Sequence, residues 1–133
     1  MKPVFADTFF FLAVLNRDDP WHAKAVRAHR VLRPRWITTA WVLTEVADAL
    51  AAPSFRPRFA EFHASLTANP NVRLIPATQE LFERGIRLFK DRPDKAWSLT
   101  DCISFVAMQE EGVTEALTGD RHFEQAGFKA LLL

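Results

Sequence analysis

Pro3-Val4-Phe5-Ala6-Asp7-Thr8-Phe9-Phe10-Phe11 opens the chain as an apolar run interrupted by one acid, Asp7. A short apolar segment ending at a polar residue suits a buried parallel strand, here expected over 3–6. Thr8 to Asn16 then reads as a brief helix that Asp7 or Thr8 can cap. An ionised carboxylate in such surroundings is costly unless something cationic meets it. The same pattern recurs in Trp41-Val42-Leu43-Thr44-Glu45-Val46-Ala47, in Leu99-Thr100-Asp101-Cys102-Ile103 and in Ala116-Leu117-Thr118-Gly119-Asp120. None of Asp7, Glu45, Asp101 and Asp120 is flanked on both sides by Lys or Arg, as an acid on a solvated salt-bridge face would be.

Outward from that opening, short apolar strands alternate with helices. Asp19-Pro20 marks a helix start, with Asp19 as N-cap and Pro20 in the first turn. Trp21, Ala25, Ala28 and Leu32 follow at helical spacing, and Pro34 ends the helix. Further strands are expected at 35–38, 72–75, 115–118 and 130–133. Helices are expected from Thr38 or Thr39 to Ala51, over 58–66, over 78–90 with a capping-box pattern at Thr78, and over 99–111 with Gly112 as the stop. This alternation predicts an α/β fold, a parallel sheet with helices on both faces. Asp7 and Asp120 then fall just past the carboxyl ends of strands, where open parallel sheets place their ligands. Glu45 and Asp101 interrupt helices that are otherwise apolar almost all round.

No repeat, low-complexity tract or Gly/Ser linker divides the 133 residues, so one domain over 1–133 is expected. Hydrophobic residues at 49% and charged ones at 25% match an ordinary globular chain. A net charge of +1 gives no bulk-charge argument for nucleic acid, but Lys24, Arg27, Arg30, Arg33 and Arg35 share one segment without an acid. Cys102 is the only cysteine, which excludes an internal disulfide and a Cys-rich zinc site and suits a cytoplasmic setting. Phe9 to Leu15 is too short to span a bilayer, so neither a signal peptide nor a membrane partner is expected.

Four oxygen donors without a thiolate or a histidine at ligand spacing suit a hard cation, Mg²⁺ or Mn²⁺. Phosphate cannot approach four anions unless divalent ions neutralise them, so metal and phosphodiester would bind together. Thr8, Ser98, Thr100 and Thr118 stand beside the acids and can orient carboxylates or metal-bound water. Structural roles compete with this reading at each position: Asp7 can cap the first helix, and Asp120 the short helix after it.

Five blocks of the chain bear a family likeness in order and spacing. They are the opening strand with Asp7-Thr8; Asp19-Pro20-Trp21-His22-Ala23; Thr39-Ala40-Trp41-Val42-Leu43-Thr44-Glu45-Val46; Ser98-Leu99-Thr100-Asp101-Cys102-Ile103-Ser104-Phe105; and Leu117-Thr118-Gly119-Asp120-Arg121-His122-Phe123-Glu124-Gln125-Ala126-Gly127-Phe128. Together they resemble the PIN-domain family, the fold of the VapC-type toxin ribonucleases. The resemblance implies a three-layer α/β/α sandwich around a central, mostly parallel sheet of four or five strands. It also implies a Mg²⁺- or Mn²⁺-dependent endoribonuclease that leaves 5′-phosphate ends. Asp7, Glu45 and Asp101 would then bind the metal, and Asp120 would support a metal or its water. Thr8, Ser98 and Thr118 would support these acids. The implied partners are an RNA substrate, a small antitoxin protein and a second copy of the chain in a homodimer. Gly119 is expected to loosen its loop.

Arg27, Arg30 and Arg33 can guide an RNA backbone, although residues three apart drift round a helix and a plain solvated face fits equally well. His122 can contact phosphate, while capping or packing a turn is the favoured role. Most aromatics read as core, and Cys102 reads as a small core residue because no basic partner is apparent. One alternative is a PIN-like RNA- or protein-binding module without nuclease activity. Another is a phosphohydrolase or phosphoacceptor domain, disfavoured because no Lys lies between Lys95 and Lys129.

Overall fold

A computed structural model describes residues 2–32 and 35–133. Strand β1 (Val4–Ala6) leads into helices α1 (Thr8–Leu15) and α2 (His22–Leu32). Strand β2 (Trp36–Thr39) leads into α3 (Ala40–Ala49) and α4 (Arg56–Ala68), and β3 (Val72–Ile75) into α5 (Gln79–Asp91) and α6 (Leu99–Glu111). After β4 (Glu115–Leu117) come α7 (Arg121–Gln125) and β5 (Lys129–Ala130).

The five strands form one wholly parallel sheet in the order β3-β2-β1-β4-β5. Phe5 of the central strand pairs with Ile37 on one side and Ala116 on the other. All three residues of β1 are buried, as expected of a strand covered on both faces. From β1 the chain steps outward to β3, then returns across β1 to β4. Right-handed crossovers put the outward and returning connections on opposite faces of the sheet. The reversal falls between β1 and β4, and the crevice at their carboxyl ends is where such sheets receive ligands. Asp7 emerges there from β1, and Thr118, Gly119 and Asp120 emerge from β4.

Helix α6 is the central packing element, because every residue from Asp101 to Met108 is buried. Its start is fixed by a reciprocal cap. The Asp101 backbone N–H donates to Ser98 Oγ (3.0 Å) and the Ser98 N–H donates to Asp101 Oδ2 (3.1 Å). Its end is fixed by Gly112 at φ 68°, a left-handed conformation that favours glycine. Helix α5 lies so close that a Cβ on Gly85 would collide with Ile103. Among the described residues no helix is long and apolar enough to cross a membrane.

Several boundaries differ from the sequence expectation. Helix α4 begins at Arg56 and includes Pro57, because a first-turn proline lacks only an N–H that has no helical partner anyway. Helix α2 begins at His22, and the Asp19 carboxylate closes the preceding turn by accepting from the Trp21 N–H at 2.8 Å. The final strand is only Lys129–Ala130. Thr78 caps α5 alone, by accepting from the Leu81 N–H; the reciprocal box belongs to α6. Arg33, Pro34 and the Leu32 side chain lie outside the described residues.

Candidate active site

Asp7 occupies the N-cap position of α1, yet its side chain makes no capping hydrogen bond. Instead Thr118 Oγ1 donates to Asp7 Oδ2 at 2.9 Å, joining the ends of β1 and β4. The same Thr118 oxygen accepts from the Asp120 N–H at 3.0 Å. Asp120 does cap α7, its Oδ1 accepting from the His122 N–H at 2.9 Å. The His122 ring turns back into the crevice, with Nδ1 3.0 Å from Asp101 Oδ2 and 3.4 Å from Asp120 Oδ1. An ionised carboxylate can only accept, so with Asp101 ionised this nitrogen carries the proton. On the opposite side, Thr8 Oγ1 donates to Glu45 Oε1 at 2.6 Å, bringing α3 against the residue that follows Asp7. Hydrogen bonds and one peptide link therefore join Glu45, Asp7, Asp120 and Asp101 into a continuous network through Thr8, Thr118 and His122.

The electrostatics set this network apart from a solvated charge cluster. Asp7 is 5% exposed, and its pKa is pushed up to about 7, chiefly by burial and further by the negative charges of Asp101 and Asp120. The Thr118 hydroxyl opposes that rise without cancelling it. The displacement disfavours the charged form by about 4 kcal/mol. Burial also raises the pKa of Asp101, which the Ser98 N–H and His122 pull down while Asp120 pushes up. Among the described residues no Lys or Arg pairs with Asp7, Glu45, Asp101 or Asp120. Adjacent acids whose basic neighbour among the described residues is the His122 ring alone form a donor set suited to a hard divalent cation. One ligand atom each from Asp101, Asp120 and His122 lie within 4.8 Å of one another.

Sequence reasoning weighed His122 mainly as a turn residue, and its backbone has that role. Its ring contact with Asp101 spans 21 residues, and no local spacing reports it. The available signal was the Asp120-Arg121-His122 spacing immediately after a strand. Gly119 does not simply loosen its loop. A Cβ there would lie 2.6 Å from Phe9 Cζ, so glycine makes room for that ring. Cys102 is buried and its thiol pushed up to about 11, which leaves it an unreactive core group. Lys24, Arg27 and Arg30 are all exposed, but α2 runs away from the acids. Trp21, just before the helix, meets Phe9, while His29 near its other end meets Trp36 at the start of β2.

A wholly parallel α/β sheet with an acidic crevice at its switch point places the chain among α/β domains that can hold a divalent cation at the carboxyl edge of the sheet. A family model described as "PIN domain" matches residues 4–129, and the chain belongs to the PIN-domain family. It is similar to the 23S rRNA-specific endonuclease VapC20 of Mycobacterium tuberculosis, from strains CDC 1551 / Oshkosh and ATCC 25618 / H37Rv. Each is 29% identical over 125 residues, covering 94% of this chain and 95% of the relative. A crystal structure of M. tuberculosis VapC20, described as a sarcin–ricin-loop-cleaving toxin, matches with a TM-score of 0.85 at 28% identity. That match covers 94% of this chain and 95% of the other.

Proposed function

We propose that this chain is a Mg²⁺- or Mn²⁺-dependent endoribonuclease, the toxin of a toxin–antitoxin pair, built as one PIN-type unit over residues 1–133. The observation that carries the reading is Asp7, a buried acid whose pKa is raised to about 7 by burial and by the charges of Asp101 and Asp120, and which pairs with no basic side chain among the described residues. Such an arrangement opposes folding unless a cation completes it.

Asp7, Asp101 and Asp120 would hold the ion, with Glu45 at the α3 side of the crevice. A bound Mg²⁺ or Mn²⁺ would neutralise charge on phosphate oxygens and lower the pKa of a coordinated water. Asp7 would bind the ion as the carboxylate, with the Thr118 hydroxyl keeping Oδ2 oriented. Thr8 fixes the rotamer of Glu45, and the Ser98 N–H fixes that of Asp101. With Asp101 ionised, the His122 Nδ1–H donates to Asp101 and lies 3.4 Å from Asp120, which holds the two acids side by side.

The target of the VapC20 relatives makes 23S rRNA the first substrate to test, alongside an unstructured strand. A small antitoxin, a homodimer and a cytoplasmic setting belong to the same proposal. A binding module without nuclease activity is disfavoured, because the relatives are named as endonucleases.

The test is to incubate purified protein with each RNA and Mg²⁺ or Mn²⁺, then sequence the new 5′ ends. Cleavage is expected, and EDTA, Asp7→Asn or Asp101→Asn should each abolish it. Undiminished cleavage by both variants would overturn the reading.

A further inference from the structure

Beside the acids stands an aromatic wall that none of the hydrogen bonds above requires. Phe9 directly follows Thr8, and its ring lies over Gly119, the residue before Asp120. On its other side it meets Trp21 edge-to-face, with centroids 5.3 Å apart and planes at 74°. Lys24 Nζ lies 5.5 Å from the centroid of the Trp21 ring. Both rings are only half-buried, Lys24 is exposed, and among the described residues no carboxylate pairs with that lysine. The sequence therefore steps from acid to hydroxyl to aromatic ring at Asp7-Thr8-Phe9, and the fold extends that line through Trp21 to a cation.

We propose that Phe9 and Trp21 form a nucleobase subsite, where an unpaired base next to the scissile phosphate stacks while Lys24 takes the following phosphate. This deepens the endoribonuclease reading and rests on it. A metal-filled acidic crevice can hold only the phosphate, so the flanking nucleoside needs a surface of opposite character. An aromatic face supplies one, because every base has a π-face and stacking on aromatic side chains is the usual grip on single strands. Lys24 sits on a flexible stem, and moving its ammonium to a phosphate frees the indole face. The placement also selects among the basic residues of α2. Lys24 stands at the end nearest the acids, whereas Arg30 lies beyond His29, toward the amino edge where β2 begins. The subsite selects unpaired nucleotides at the cut and rejects continuous duplex there.

The test uses a short single-stranded RNA and copies carrying one abasic residue at each position in turn, bound in Ca²⁺ and followed by fluorescence anisotropy. The wild type should lose about tenfold in affinity at one abasic position, the scale of one stacked base. Trp21→Leu should bind the intact strand about tenfold more weakly and be indifferent to that position, and Trp21→Phe should retain intermediate discrimination. Circular dichroism checks that each variant is folded. If Trp21→Leu does not fold, Lys24→Ala decides, and it should weaken intact and abasic strands alike. A wild type indifferent to every abasic position, or a folded Trp21→Leu that discriminates as the wild type does, overturns the subsite. RNA cleavage in Mn²⁺ is scored separately. If discrimination persists without any cleavage, the nuclease reading falls, and what is left is a base-stacking surface with no scissile phosphate beside it.

Discussion

At the first turn of α6, Asp101 is buried against Asp120 and His122; at the last turn, Glu110 and Glu111 reach solvent, paired with Arg84 and Arg73. The helix dipole favours an acid at the first end and disfavours one at the second. The chain nevertheless puts arginine at the second end, while among the described residues no Lys or Arg pairs with the first. Charge compensation is therefore complete where an acid has only a structural role. It is left open in the crevice, where burial raises the pKa of Asp7 and of Asp101, the charges of Asp101 and Asp120 add to the rise at Asp7, and that of Asp120 adds to the rise at Asp101. An open charge on a rigid, buried scaffold is a property of a binding site, and a closed one is a property of a surface.

The largest effect should come from the open end. Asp7→Asn and Asp101→Asn should each reduce RNA cleavage by more than the ~100-fold typical of losing an outer partner of a metal ligand. Asp7→Asn should at the same time leave the metal-free protein at least as stable as wild type near neutral pH, as thermal melts would show. A variant that lost both activity and stability would make Asp7 a structural residue like Glu110. Thr118→Val should come next. It removes the donor to Asp7 and the acceptor for the Asp120 N–H, and should weaken Mn²⁺ binding by about 10–100-fold in calorimetry.

The pH dependence has a definite sign. Folding raises the Asp7 pKa from 3.8 to about 7, so the neutral carboxyl contributes its full stability below about pH 4. That contribution is lost as pH rises through about 7. Metal-free wild type should therefore lose up to about 4 kcal/mol relative to Asp7→Asn across that window in denaturant titrations. Stabilisation by Mn²⁺ should be larger at about pH 8 than at about pH 6, because protons compete for the same oxygens. The smallest effect belongs to the closed end. Arg84→Ala should cost less than about 1 kcal/mol, as exposed ion pairs do, and leave cleavage unchanged.

The contrast between the ends also explains what could be read from sequence. Asp7, Glu45, Asp101 and Asp120 stood out because each interrupts an apolar run, and burial is a local property of such runs. The parallel sheet was legible for the same reason, since β1 and the buried face of α6 are continuous in the chain. Contacts made by the fold were not legible. The His122 ring reaches Asp101 across 21 residues, and Thr118 reaches Asp7 across 111. Asp7 and Asp120 stood equal as capping candidates. The structure separates them, because Asp120 caps α7 while Asp7 turns its carboxylate to Thr118. The α6 capping box was missed because Asp, not Glu, closes it, and the packing reason for Gly119 was not legible because the Phe9 ring above it comes from another element.

Calorimetric titration of the metal-free protein with Mn²⁺, in the absence of RNA and near pH 8, tests the central claim most directly. The wild type should bind with little proton release at that pH and with clear release when the titration is repeated near about pH 6, and Asp7→Asn should lose the binding while remaining folded. Equal binding by the two proteins, or no binding by the wild type, would contradict the account.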